Sequence, residues 1–170
     1  MIRLVTLGVA LGHADVRVRE EGGNNRGPAI KKYLASLDPP MAEGAPWCAS
    51  AVQYWADVAA RALGVKNPLD AVKLEALVQS YYDEFRLDVI GPAVRPEPGD
   101  LVLFKFPKDR KPSPTWNHIG LIAQAPKTGT SIGWVVEGNT GDIDQRDGDG
   151  VYLKPRDLEK LTSCCIRWAE

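Results

Sequence analysis

The hydrophobic positions of this 170-residue chain repeat with a helical period in the first half and alternate as in strands in the second. Residues three or four apart share one face of a helix. This spacing predicts a helix in "PAIKKYLASL", a second from Cys48 to a stop at Gly64, and a third in "AVKLEALVQSYYDEF". The opening "MIRLVTLGVALGHAD" has only one Arg and no convincing cleavage site, so an amphipathic segment is favoured over a signal peptide.

The second half contains five short segments typical of strands. They are "LVLFKF" after a Pro-Gly turn, "NHIGLIAQ", "IGWVVEG", "GVYLKP" and "CCIRWA". Helices followed by strands predict an α+β fold, with N-terminal helices packed on a C-terminal antiparallel sheet of about five strands. A parallel α/β sheet is the alternative, but the strands leave no room for helices between them. The length favours a single domain over residues 1–170.

Composition narrows the classes of partner. The formal net charge of −1 leaves no excess of positive charge that would attract nucleic acid or an anionic membrane surface. No apolar run approaches the roughly 20 residues that span a bilayer. We therefore expect neither a nucleic-acid partner nor a membrane span.

The cysteines and acidic residues offer few metal or disulfide patterns. Three cysteines are too few for a disulfide framework, and no zinc-ligand spacing occurs. Cys164 and Cys165 are adjacent in a predicted strand, so they point to opposite faces and read as packing residues. The acidic "GDIDQRDGDG" fails as a calcium loop, because Arg146 and Leu153 occupy ligand positions. We expect no metal and no cofactor.

Cys48 is the cysteine with an unusual setting, because it begins a predicted helix directly after Pro46 and Trp47. A cysteine attacks as thiolate, and its reference pKa near 8.5 must be lowered for that. A helix N-terminus and a nearby imidazolium both favour the thiolate. The alternative is a buried small hydrophobe.

The chain has two histidines. His13 lies in the N-terminal segment, whereas His118 begins the strand "NHIGLIAQ" and can face a helix packed on the sheet. In "VVEGNT", Glu137 and Asn139 share a face if the strand stays extended past Gly138. Either side chain can then accept the imidazole N–H and fix its tautomer. Cys48, His118 and one of these residues form a candidate nucleophile, base and orienting group.

The segments "GGNNRG", "PWCASAVQYW", "PGDLVLF", "NHIGLI" and "VEGNTG", in this order and spacing, resemble the CHAP family of cysteine, histidine-dependent amidohydrolases/peptidases, relatives of the NlpC/P60 enzymes. The resemblance covers about Glu21 to Arg156. It implies a papain-like α+β core and hydrolysis of amide bonds in peptidoglycan, either between muramic acid and L-alanine or within the peptide. It also implies Cys48 as nucleophile, His118 as base, Glu137 as third residue and Asn139 as a fourth polar member.

Three further residues are candidates for binding substrate. Trp47 and Trp116 flank the nucleophile and the base, and an aromatic ring can hold a glycan or a peptide, although core packing is the commoner role of tryptophan. Asn25 in "GGNNRG" is a third candidate, with a simple turn as its alternative.

Other functions remain open from the sequence. A catalytically silent module that binds wall or protein, and a cysteine protease or acyltransferase acting on proteins, would fit the same fold. Lysins of the family usually add a wall-binding module, which this sequence does not show. The resemblance therefore suggests a chain made in the cytoplasm that reaches the wall by export, injection or phage lysis. An injected toxin would have a cognate immunity protein as partner.

Overall fold

The amphipathic segments of the first half form helices that stack on one side of a sheet built by the second half. The computed structural model describes residues 1–91, 94–107, 111–141 and 148–170. Within these residues the helices are α1 (Ile2–Asp15), α2 (Pro28–Ala35), α3 (Cys48–Leu63) and α4 (Val78–Glu84), with a short 3₁₀ helix at Pro68–Ala71.

The helix α3 follows the predicted pattern closely. Its buried face includes Val52, Trp55 and Ala59, and it ends where Gly64 adopts the left-handed conformation. The opening segment forms α1, which contributes Ile2 to the core. None of the helices in the described residues is long and apolar enough to cross a membrane.

The third predicted helix is wrong in its first half. Residues 73–76 form turns, and the helix begins only at Val78. Glu75 is buried in these turns, where it accepts a hydrogen bond from the Asp38 N–H at 2.8 Å and a longer one from Gln53 at 3.4 Å. These tertiary contacts outweigh the helical propensity of the segment.

The sheet has the five predicted strands. They are β1 (Leu101–Phe104), β2 (His118–Gln124), β3 (Ile132–Thr140), β4 (Gly150–Asp157) and β5 (Ser163–Ile166). Their order is β4-β3-β2-β1-β5, and every neighbouring pair is antiparallel. The α+β fold is therefore confirmed, and residues 118 and 137 lie on adjacent central strands.

The two faces of the sheet belong to two hydrophobic clusters. The larger one joins the helices to the sheet through residues such as Trp55, Leu103 and Val136. The smaller one covers the other face with Val102, Phe104, Phe106, Ile122 and Val135. Cys164 packs against the first cluster and Cys165 against the second, as alternation along a strand requires.

Candidate active site

Cys48 is the first residue of α3, directly after Trp47 as N-cap residue. The first backbone N–H groups of a helix have no partner within the helix, and the helix dipole is positive at this end. Cys48 lines a cleft of about 440 Å³ and is 7 % exposed. The thiol is thus placed at the electropositive end of a 16-residue helix, at the floor of an open cleft.

His118 is the first residue of β2 and is fully buried. Its Nε2 lies 2.7 Å from Oε2 of Glu137. Its Nδ1 has no hydrogen-bond partner among the residues that the structure describes. Although burial opposes protonation, interactions with the side chains of Cys48 and Glu137 raise the pKa of His118 to about 9. With Nε2 held by Glu137, Nδ1 is the ring nitrogen available to the thiol.

Glu137 is a fully buried carboxylate on β3 with strong hydrogen-bond donors on both oxygens. Arg156 of β4 donates from Nε to Oε1 and from Nη2 to Oε2, each at 2.7 Å. Burial favours the neutral acid, but hydrogen bonds from Arg156 and His118 outweigh it and lower the pKa of Glu137 to about 2. The carboxylate is therefore ionised and held in one orientation.

The glycine of the "HIG" segment makes room for this carboxylate. Gly120 pairs with Glu137 across β2 and β3. A Cβ at Gly120 would lie 2.8 Å from Glu137 Cγ and 2.8 Å from the Val136 carbonyl oxygen. His118 lies two residues before Gly120 on β2. Only glycine at position 120 leaves the space through which the Glu137 side chain reaches the His118 ring.

The His118 ring is enclosed by aromatic side chains. Phe106 meets it edge-on with ring centroids 5.5 Å apart, and Phe104 lies at 6.3 Å. The guanidinium of Arg156 lies over the Phe106 ring at 5.1 Å. These contacts surround the His118–Glu137 hydrogen bond with apolar groups and strengthen it electrostatically.

Asn139 does not take part in this hydrogen bond, since the extended conformation expected past Gly138 is interrupted. The pairing of β3 with β4 shifts between Glu137 and Thr140, and Asn139 has a φ of 54°. In the amide orientation that satisfies its neighbours, Asn139 accepts from the Trp47 N–H at 3.2 Å and donates to Asn25 and Gly148. Of the two candidates left open by the sequence, Glu137 is the one that contacts His118.

Two of the three residues expected to contact substrate have side chains buried inside the protein. Trp47 is fully buried, its ring packs on Tyr33, and its Nε1 donates to Glu20 at 2.9 Å. Asn25 is 8 % exposed and donates from Nδ2 to the Gly44 carbonyl at 3.2 Å. Both side chains are used inside the protein, where they hold the loop that leads into α3.

Trp116, the third of these residues, lies in the wall of the cleft. Its backbone N–H donates to Oε1 of Gln79 at 3.1 Å, and its ring is tilted against that of Tyr82 with centroids 5.5 Å apart. The cleft is formed from α3, from the start of α4 and from the segment before β2. Its lining residues in the described chain are Pro46, Cys48, Ala76, Leu77, Val78, Gln79, Thr115, Trp116, Asn117 and Asn139.

His13, the other histidine, is half-buried among aromatic side chains and does not contact this site. Its Nδ1 makes a hydrogen bond with the Tyr33 hydroxyl, and its ring lies near Tyr54 and Trp55. Burial, followed by the charge of Lys32, lowers the pKa of His13.

Sequence reasoning missed Arg156 and Glu20. Arg156 is the counterion of Glu137, and Glu20 accepts from both the Trp47 indole and the Asn25 N–H. A signal for the first was present: a glutamate in an apolar strand needs a buried cation, and "GVYLKPRD" places Lys154 and Arg156 in a neighbouring strand. No comparable signal marks Glu20.

Metal ligands are not gathered in the described part of the chain, where no group of three His, Cys, Asp or Glu side chains is placed to hold an ion. The acidic "GDIDQRDGDG" segment, whose spacing does not fit a calcium loop, falls largely in residues 142–147, which lie outside the described residues.

Comparison of the chain with protein-family models, with curated proteins and with solved structures finds no match. The resemblance to the CHAP family therefore rests on the motifs alone.

Proposed function

We propose that this chain is a cysteine amidohydrolase that cleaves an amide bond of bacterial peptidoglycan. The observation that carries the proposal is the arrangement of three side chains: Cys48 at a helix N-terminus beside a cleft, His118 within interaction range, and Glu137 at 2.7 Å from the far ring nitrogen. This is the geometry of a nucleophile, a base and an orienting group.

The proposed reaction is acyl transfer through a thioester. The Cys48 thiolate attacks the amide carbonyl, and the His118 imidazolium gives its proton from Nδ1 to the departing amine. Water, deprotonated by the now neutral His118, then attacks the thioester, releases the acid and restores the thiolate and the imidazolium. The backbone N–H of Cys48, at the first position of α3, has no acceptor within the helix and can donate to the oxyanion.

The cleft suits a ligand that carries both apolar and amide groups. Its walls combine the apolar side chains of Leu77 and Val78 with the polar Gln79 and Asn117, and Trp116 offers a flat ring. In the described residues no acidic or basic side chain lines it. A muropeptide, with a sugar ring to stack on tryptophan and peptide groups to hydrogen-bond, matches these surfaces.

Digestion of purified sacculi tests this proposal. The intact protein should release amino groups or peptides, and Cys48→Ala should lose this release entirely. Cys165→Ala is the matched control, because Cys165 packs under the sheet and burial raises its pKa to about 12. Mass spectrometry of the products would separate cleavage at the muramic acid–alanine bond from cleavage within the peptide.

Two results would contradict the proposal. Undiminished release by Cys48→Ala would remove the nucleophile from the mechanism. Binding of wild-type protein to sacculi without any release would support instead a catalytically silent wall-binding module.

A further inference from the structure

Four ionisable side chains from four different elements form one connected set in the interior. They are Cys48 of α3, His118 of β2, Glu137 of β3 and Arg156 of β4. Apart from the cysteine at 7 % exposure, each is at most 1 % exposed. A buried set with a net charge is costly, because desolvation of each ion must be offset by its partners.

The carboxylate of Glu137 is shared unequally between its two cationic neighbours. Arg156 occupies both oxygens, whereas His118 reaches only Oε2. Without the guanidinium, the full negative charge of Glu137 would act on the imidazolium alone. The imidazolium would then be paired with Glu137 and would have less charge left to stabilise a thiolate.

We propose that Arg156 is a positioning residue that balances the charge of Glu137, so that the thiolate of Cys48 and the imidazolium of His118 coexist in a buried site of zero net charge. The charges are −1 for the thiolate, +1 for the imidazolium, −1 for the carboxylate and +1 for the guanidinium. Arg156 acts through Glu137, because its guanidinium donates to both carboxylate oxygens. The inference rests on the proposed function, because it assigns Arg156 to that same site.

Other groups near the set are accounted for in the described residues. Tyr81 of α4 lies within electrostatic range of Cys48. Lys154, two residues before Arg156 on β4, donates to the Gly141 carbonyl. Phe104 and Phe106, at the end of β1 and just after it, are uncharged. The guanidinium of Arg156 is thus the cation that contacts Glu137 from β4.

Alkylation of Cys48 by iodoacetamide as a function of pH tests the inference without any substrate. The Cys48 peptide would be followed by mass spectrometry in Arg156→Met, Arg156→Lys and the double variant Glu137→Gln/Arg156→Met. Arg156→Met leaves the set one charge negative, so the rate at pH 6 should fall about tenfold, equivalent to a displacement of about one pH unit. Arg156→Lys keeps the charge but loses the two-point contact with the carboxylate, so its rate at pH 6 should fall clearly less than that of Arg156→Met.

The double variant distinguishes charge balance from damage to the fold. It removes one charge of each sign, and the glutamine introduced at position 137 can still accept from the imidazole, so its profile should return most of the way to that of the wild type. Arg167→Met is the matched control: this arginine also pairs with a buried carboxylate, Asp100, but at the edge of the sheet. Its alkylation profile should be unchanged.

Two results would overturn the inference. One is a folded Arg156→Met protein whose alkylation profile matches that of the wild type. The other is a double variant whose alkylation profile is displaced by a full pH unit. This second result overturns the inference even if Arg156→Met does not fold. Sacculus digestion is measured separately. An inactive protein with the expected alkylation profiles would contradict the proposed function alone, and an active one with unshifted profiles would contradict only the role of Arg156.

Discussion

Glu137→Gln is the substitution that most directly tests the energetics of the site. Glu137 is fully buried and accepts three hydrogen bonds of 2.7 Å, two from Arg156 and one from His118. The glutamine keeps the shape of the side chain but loses its charge, and its amide NH₂ must face a donor. The two cations then lose the carboxylate that pairs with both of them.

The size of the effect follows from the ionisation of His118. Its pKa of about 9 against an ordinary value of 6.5 corresponds to about 3 kcal/mol of preference for the imidazolium in the folded state. The side chains of Cys48 and Glu137 both contribute to this preference, so it is an upper bound on the part that Glu137 supplies. The lowered pKa of Glu137 reflects the same attraction seen from the other partner, together with that of Arg156, so the two are not added. Removal of one member of a buried ion pair costs a similar amount, about 3–5 kcal/mol. We expect Glu137→Gln to lower the free energy of unfolding by about 3 kcal/mol.

The destabilisation should depend on pH. The folded chain binds the imidazole proton more tightly than the unfolded chain does, so the His118 contribution is complete below pH 6.5 and is lost as the pH rises through about 9. For Glu137 the order is reversed: its contribution is present above pH 4.5 and is lost as the pH falls toward 2. The difference between wild type and variant should therefore be largest near pH 5.5 and smaller at pH 9.5. The part due to Arg156 persists, because arginine stays charged.

Urea unfolding at pH 5.5, 7.5 and 9.5, with equal m-values as a check on two-state behaviour, would measure this difference. Glu97→Gln is the matched control, because Glu97 pairs with Arg3 and Arg167 at the surface, where such pairs contribute at most about 1 kcal/mol. A Glu137→Gln effect below about 1 kcal/mol at pH 5.5, or one that grows with pH, would show that Glu137 is not the buried counterion of these cations.

Two further substitutions test neighbouring positions. Gly120→Ala places a Cβ 2.8 Å from Glu137 Cγ and should cost about 1–3 kcal/mol in thermal unfolding and slow the release from sacculi. Its control, Gly12→Ala on α1, meets no atom within 4 Å and should be neutral or stabilising by up to about 1 kcal/mol. Asn139→Gly retains the positive φ but loses the hydrogen bond from the Trp47 N–H, so the free energy of unfolding should fall by about 1–3 kcal/mol. The pH profile of Cys48 alkylation should stay unchanged. A displaced profile would show that Asn139 acts on His118.

Local sequence patterns were sufficient for the strands and for the positions of Cys48 and His118. Five alternating segments predicted the sheet, because the stretches between consecutive strands are too short or too rich in proline for a crossover helix. A cysteine at the first position of a helix and a histidine at the first position of a strand are local features, visible from caps and alternation. Their approach in space follows once the helix packs on the sheet.

Features set by tertiary contacts were not predictable in the same way. Trp47 and Asn25 were predicted to contact a ligand. Their burial depends on distant partners such as Glu20, which the local sequence does not reveal. The pairing of Arg156 with Glu137 depends on the register of β4 against β3, which sequence alone does not determine. The segment around Glu75 likewise has a helical pattern, but it forms turns in which Glu75 accepts a hydrogen bond from the Asp38 N–H.

The division of the cleft between two kinds of element has a consequence for how such a protein changes over time. The proposed reacting groups come from α3, β2 and β3, which pack in the core, whereas Ala76 to Gln79 and Thr115 to Asn117 supply much of the cleft surface. Substitutions in those two segments alter which polymer fits without moving the thiol or the imidazole. Directed evolution toward a different wall chemistry should therefore accumulate its changes in these segments, and libraries confined to them should retain a reactive Cys48 in most members.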